Sequence, residues 1–198
     1  MAKDTVVLNR NLYLCTAINN DSTSEVIKSI KNINIFDQEQ DSKLKNYKIK
    51  PIVLHIQSFG GNVYDMWALI DTIETSFTPV ATICCGYCMS AAAMIFMSGH
   101  IRYMTKHSTL MLHQMACGTL EKYNDFIITE QEFSNLHKES IKFIKKHSKL
   151  PKSYIEKYDN KKEDIYLTTK DCLKYGVCDY KIKKTKMTPV ENPNEQDE

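Results

Sequence analysis

Val80-Ala81-Thr82-Ile83, followed by Gly86-Tyr87-Cys88-Met89-Ser90-Ala91-Ala92-Ala93, decides how this chain folds. The β-branched run predicts a strand, the glycine a tight turn, and the unbroken apolar stretch from Ala91 to Met97 a buried helix. Strand, turn and helix in that order build an α/β fold. One hydroxyl, that of Ser90, stands at the joint. A helix N-terminus offers unpaired backbone N–H groups and the positive end of the macrodipole, where an attacked carbonyl would develop negative charge. Downstream, Leu110-Met111-Leu112-His113-Gln114 reads as a strand ending in a histidine, and Asp164 lies in an acidic segment beyond it. Ser90, His113 and Asp164 supply nucleophile, base and orienting carboxylate in that chain order, the set that acyl transfer needs. Each also has a plain structural reading. Serine is a common helix N-cap, a strand-end histidine often serves only as a hydrogen-bonding group, and Asp164 is one of 24 acidic residues.

A second glycine element separates these readings. Pro51 to Gln57 predicts a strand, and Ser58-Phe59-Gly60-Gly61-Asn62-Val63 follows it. Two glycines between strand and helix permit positive φ and close backbone approach, so an N–H can point at a ligand. The Ser-x-Gly-Gly-x-Val turn, the Gly-x-x-x-Ser-Ala-Ala elbow and the Met111-Leu112-His113-Gln114 strand together resemble the ClpP serine peptidases. The resemblance runs in consistent order from Arg10 to Ile182, and Cys172-Leu173-Lys174-Tyr175-Gly176-Val177-Cys178-Asp179 is similar to the family's closing helix and turn. It implies an α/β, crotonase-like superhelix of repeated ββα units with a long handle helix. It also implies Ser90 as nucleophile, His113 as general base and then general acid, and Asp164 as the group that fixes the imidazole tautomer. The oxyanion donors would be the backbone N–H groups of Gly61 and Ala91. Asn62 and Val63 on one side, and Ala116, Cys117 and Gly118 on the other, match the strands between which the family pairs an extended substrate.

Five departures from the family pattern bear on these expectations. The spacing from Ser90 to His113 is slightly short, and the shortening falls at Gly99-His100-Ile101-Arg102, a turn between elements. The segment Glu156 to Asp164 is slightly long, which makes Asp159 a rival to Asp164; Asp164-Ile165-Tyr166-Leu167-Thr168 retains the family's pattern and favours Asp164. Glu163 stands where the family usually has an arginine that pairs across two rings, so ring stacking is expected to be weak. Few residues precede Asn11-Leu12-Tyr13-Leu14, the first core strand, which leaves little chain for the family's contact with an ATPase partner. Phe36 to Lys50 is a polar insertion and predicts a solvated surface loop.

With 198 residues and no interior linker, residues 1–183 are expected to form one peptidase domain, and 184–198 a disordered tail. Asp21-Ser22-Thr23-Ser24-Glu25 predicts a capping-box start for a helix bearing Val26, Ile27, Ile30 and Ile33 on one face. Val63, Met66, Trp67, Ile70 and Ile73 repeat at helical spacing, with Trp67 expected in the core. Phe126, Phe133, Leu136, Ser140 and Ile144 mark the handle helix from about Glu121 to His147. The net charge is +2, and the only arginines are Arg10 and Arg102, so the forked donor favoured for phosphate and base recognition is scarce and no nucleic-acid partner is expected. No stretch approaches a membrane span or a signal-peptide core, which predicts a protein of the cytoplasm, or of an organellar stroma or matrix. Seven cysteines, an odd count scattered through core segments, read as reduced thiols. Cys84, Cys85 and Cys88 lack a second ligand pair at zinc spacing, so neither metal nor cofactor is expected.

The function expected is a serine endopeptidase, the proteolytic subunit of a Clp-type protease, cleaving unfolded polypeptides inside homo-oligomeric rings. Heptameric rings that stack, and a Clp ATPase unfoldase, are the partners the resemblance implies. Two alternatives remain open: a ClpP-like phage head-maturation protease, and a non-catalytic ring subunit supporting active paralogues. A hydratase or isomerase on the same fold would use Glu or Asp rather than an elbow serine with a partnered histidine.

Overall fold

The computed structural model describes residues 8–116, 122–161 and 163–182; the expected tail and the expected substrate-pairing residues Cys117 and Gly118 lie outside these. Among the described residues seven strands form one mixed sheet. β1 (Asn11–Leu14), β2 (Ile52–Ser58), β3 (Val80–Met89), β4 (Ile101–Met104) and β7 (Tyr180–Lys181) lie side by side in that order, all parallel. β5 (Thr109–Leu112) pairs parallel with the far end of β3, and β6 (Ile165–Thr168) pairs antiparallel with β5. The helices are α1 (Asn20–Lys43), α2 (Val63–Glu74), α3 (Ala91–Met97), α4 (Tyr123–Lys146), α5 (Lys152–Glu156) and α6 (Thr169–Lys174). This is the α/β fold with a long handle helix that the sequence predicts.

Alternation along β2 explains the core. Ile52, Leu54, Ile56 and Ser58 point inward and are buried, while Val53, His55 and Gln57 point the other way. Val26, Ile30 and Ile33 of α1 and Met66, Leu69, Ile70 and Ile73 of α2 cover that face. Every residue of α3 is buried, because the helix packs against β3, β2 and α2 at once. Trp67 sets the edge of its ring against Phe143 of α4 at 5.6 Å, joining α2 to the handle helix. Among the described side chains of α4, the buried ones lie toward its C-terminal end, Ser140, Phe143 and Ile144, whereas Ile127 and Ile128 are 46% and 69% exposed.

β3 is longer than the sequence predicts. It runs through Gly86, at φ 86°, and on to Met89, changing partners on the way: Ala81 to Cys84 pair with β4, and Tyr87 to Met89 pair with β5. The residues read as a turn therefore continue the strand, because β5 supplies a second ladder once β4 has ended.

The insertion Phe36 to Lys50 is not simply a solvated loop. α1 continues through it to Lys43, and Asp37 is fully enclosed. Arg10 grips the Asp37 carboxylate with two hydrogen bonds of 2.8 and 2.6 Å, Thr78 Oγ1 donates at 2.6 Å, and the Tyr47 hydroxyl donates as well. Burial alone would push this carboxyl up; the hydrogen bonds and charge of its partners outweigh it and hold Asp37 at about 2. A forked guanidinium matched to a carboxylate offsets the desolvation of both. The cap of α1 also lies earlier than expected, with Asn19 and Ser22 forming the capping box.

Candidate active site

Parallel pairing of β3 with β5 places Met89 beside Met111, so Ser90 and His113 both emerge at the C-terminal ends of neighbouring strands. The Ser90 N–H donates to Met111 O at 2.8 Å, which fixes the elbow to β5. Ser90 adopts φ 55° and ψ −125°, and it is the only non-glycine residue with positive φ among those described. A backbone held in that sparsely populated region turns the side chain out of the strand-to-helix joint, at a cost of order 1–3 kcal/mol that the surrounding packing must hold. The hydroxyl does not cap α3. It lies 2.7 Å from His113 Nε2, within reach of proton transfer. The shortened turn at Gly99 to Arg102 connects α3 to β4, away from both residues, and the pair forms despite it.

Gly60 and Gly61 shape the opposing wall. A side chain at Gly60 would sit 2.8 Å from both Met89 O and Ser90 Cβ, so only glycine lets this turn touch the elbow. A side chain at Gly61 would meet Ile18 O at 2.2 Å. The bridge to Ile18 uses Gly60 O, which accepts at 2.9 Å, and Asn62 N–H, which donates at 2.8 Å. Along an extended chain, the Gly61 N–H therefore points the other way. The first N–H of α3, that of Ala91, follows Ser90 directly, and Gly61 and Ala91 line one cavity with Ser90 and His113. Val63 and Ala116 line it too. Asn62 also borders the cavity, but its backbone groups and its side-chain oxygen are occupied. Its side chain caps α2 by accepting from Tyr64 and Asp65, its N–H serves Ile18, and its carbonyl accepts from Met66.

The carboxylates behave differently from one another. Antiparallel pairing sets Leu112 opposite Ile165, so the next register step faces His113 with Asp164. The Asp164 side chain is exposed and makes no hydrogen bond to His113 among the described residues. Asp159 lies in a π-helical turn, Lys157–Lys161, and its carboxylate accepts from His137 Nε2 of α4 at 3.1 Å. Its backbone carbonyl accepts from Gln114 Nε2 at 3.4 Å. The His137 ring also stacks on Tyr158 at 5.4 Å. Nothing in the local periodicity marks His137 or Tyr158; they meet only because the π-helical turn folds against α4. Cys88 is fully buried, its thiol donating to Ile56 O at 3.6 Å and pushed well above its ordinary value by burial, which keeps it protonated and unreactive.

A protein-family model described as Clp protease matches residues 3–185. The chain belongs to the Clp protease family. Among curated Clp relatives, the ATP-dependent Clp protease proteolytic subunit of Porphyromonas gingivalis is 28% identical over 91% of this chain and 77% of its own length. The subunit of the same name from Deinococcus radiodurans is 24% identical over 90% of this chain and 82% of its own. Among solved Clp structures, a ClpP1 point mutant from Listeria monocytogenes superposes with a TM-score of 0.73 over 88% of this chain and 92% of that one, at 19% identity. That likeness carries the fold, and the family match makes this Clp protease chain a peptidase. No helix among the described residues is long and apolar enough to cross a membrane.

Proposed function

We propose that this chain is a serine endopeptidase that hydrolyses unfolded polypeptides inside a ring chamber, as the proteolytic subunit of a Clp-type protease. The observation that carries the reading is the 2.7 Å contact between Ser90 Oγ and His113 Nε2 at a backbone held at positive φ. His113 Nε2 takes the hydroxyl proton as Ser90 Oγ attacks the scissile carbonyl. The oxyanion that forms accepts hydrogen bonds from the N–H groups of Gly61 and Ala91. On collapse, His113 returns the proton to the leaving amine, and water repeats the sequence on the acyl-enzyme. Asp164 is the carboxylate assigned to His113, supported by its register position opposite the histidine and by the engagement of Asp159 with His137. The extended substrate pairs with the Gly61 peptide and Val63 on one side and the segment that ends at Ala116 on the other.

The family relationship supports assembly into rings and association with an ATPase that delivers unfolded chains. Heptameric rings, face-to-face stacking through α4, and ATPase docking are part of the same proposal. The exposed Ile127 and Ile128 near the start of α4 suit an interface of that kind. The deciding experiment compares the wild-type chain with Ser90→Ala for fluorophosphonate labelling and peptide cleavage. Both are expected to disappear in the variant while circular dichroism is unchanged. Full labelling of Ser90→Ala would overturn the assignment.

A further inference from the structure

Ser58 opens the turn that carries Gly61, and its hydroxyl takes no part in the proton transfers at Ser90. The residue is 2% exposed. Its hydroxyl donates to Thr16 O at 2.6 Å and accepts from the Gly60 N–H at 3.1 Å. A hydroxyl can do both at once, and alanine can do neither. The two bonds fall at a break in register. β1 and β2 pair in step as far as Leu14 with Ile56, and the chain then bridges Ile18 to Gly61, four residues on along one stretch and five along the other. The surplus residue interrupts the ladder, as at a β-bulge, and the Ser58 hydroxyl crosses to the neighbouring chain at that point. Three successive peptide groups are fixed as a result. In the middle one, Gly60 O accepts from the Ile18 N–H at 2.9 Å, so the Gly61 N–H, on the opposite side of the same trans peptide, faces the cavity. The glycines flanking that peptide, at φ 104° and 154°, bring no Cβ to resist its rotation. Its neighbours resist instead: the peptide before is pinned by the Gly60 N–H on Ser58 Oγ, and the peptide after by the Asn62 N–H on Ile18 O at 2.8 Å. Gly60 also abuts the other oxyanion donor, since a Cβ added to it would lie 3.0 Å from Ala91 N.

We propose that Ser58 is a positioning residue for the oxyanion: its hydroxyl holds the Gly60–Gly61 peptide in the orientation that aims the Gly61 N–H at the developing negative charge, without touching substrate. Alanine at this position would leave the Gly60 N–H buried and unpaired. That N–H regains a partner only by turning toward water, and the next peptide, which carries the Gly61 N–H, turns with it. Val63 is held separately, because the Asn62 side chain caps α2 by accepting from Tyr64 and Asp65. The loss therefore falls on the chemical step and spares substrate binding. The inference rests on Ser90 being the acylating nucleophile.

The test compares the full chain with Ser58→Ala in three readouts. They are kcat and KM on a fluorogenic peptide, the affinity of a peptide boronate whose tetrahedral adduct on Ser90 mimics the oxyanion, and the affinity of the same peptide lacking the boronyl group. In Ser58→Ala, kcat is expected to fall about tenfold, less than the roughly 10²–10³ of losing an oxyanion donor outright, because the N–H is misaligned and not removed. Boronate affinity falls in step, while KM and the affinity of the unreactive peptide stay within about twofold. An unchanged kcat, or equal losses for boronate and unreactive peptide, overturns the proposal. So does a Ser58→Ala chain that fails to fold by circular dichroism, since the hydroxyl would then serve the fold as a whole. Ser58→Thr keeps the hydroxyl and is expected to keep the wild-type ratio of boronate to unreactive-peptide affinity; a general cost of the added methyl cancels in that ratio, and a ratio as low as that of the alanine variant refutes the role. Fluorophosphonate labelling separates the two levels. Wild type labelled at Ser90 but without these Ser58 effects refutes the positioning alone, whereas labelling that survives Ser90→Ala refutes the reading beneath it.

Discussion

Replacing Asp37 by Asn tests the buried ion pair quantitatively. The carboxyl is held at about 2 against an ordinary 3.8. One pK unit corresponds to about 1.4 kcal/mol, so the charged form contributes roughly 2 kcal/mol to folding. The sign follows from the direction of the shift. Between pH 4 and pH 2 the unfolded chain binds a proton at Asp37 that the folded chain refuses, so stability is fully present above that window and is lost as pH falls through it. Asn cannot titrate and cannot pair with Arg10 as an ion. The variant is expected to be at least 2 kcal/mol less stable at pH 7, with wild type and variant converging as pH approaches 2. Urea unfolding at fixed protein concentration, run for both proteins from pH 7 to pH 2.5, measures the difference while cancelling other carboxylates. A stability difference that stays constant across that range would refute the reasoning, since it would mean that Asp37 titrates alike in the folded and unfolded states.

Asp164→Asn is expected to lower peptide turnover by several orders of magnitude, on the order of 10⁴ in a related triad, with labelling of Ser90 slowed in parallel. Asp159→Asn should change it far less, and steady-state kinetics showing the reverse would move the carboxylate role to Asp159. Gly61→Ala should abolish cleavage and lower Tm, because its Cβ would lie 2.2 Å from a backbone oxygen that cannot move without the chain at Ile18; an alanine variant with wild-type Tm and turnover would contradict the close approach. Glu163 pairs with Lys157 of its own chain at 2.9 Å, so it cannot bridge rings as an arginine would. Sedimentation is expected to show single rings at high salt and stacked rings only under restricted conditions, whereas a double ring equally stable at low and high salt would refute this.

The parts of the fold that were legible in the sequence are those that local chemistry dictates. β-branched runs, the Gly60-Gly61 pair and the apolar stretch after Ser90 each carry their own conformational preference, and the elbow follows from them, while the partnering of Ser90 with His113 is what the resemblance to the ClpP serine peptidases implies. What escaped depends on residues distant in the chain. Asp37-Gln38-Glu39-Gln40-Asp41-Ser42 reads as solvated because composition cannot reveal that Arg10, 27 residues earlier, closes on Asp37. The extension of β3 past Gly86 depends on β5 arriving to pair with it. His137 and Asp159, 22 residues apart, meet through a π-helical turn, and such a turn has no periodic signature. In the sequence Ser140 marks only one position on a helical stripe, and nothing there shows that it lines a cavity with Tyr158.

The change of partners along β3 has a mechanical meaning for Ser90. The root of the strand is held in the parallel layer between β2 and β4, and its tip lies between β5 and Ser58 of β2, with Cys85 and Gly86 between the two stretches. Ser90 follows that tip directly and is tied to β5 by its own N–H on Met111. β5 thus holds both members of the candidate pair, Ser90 through that bond and His113 as the residue that follows Leu112.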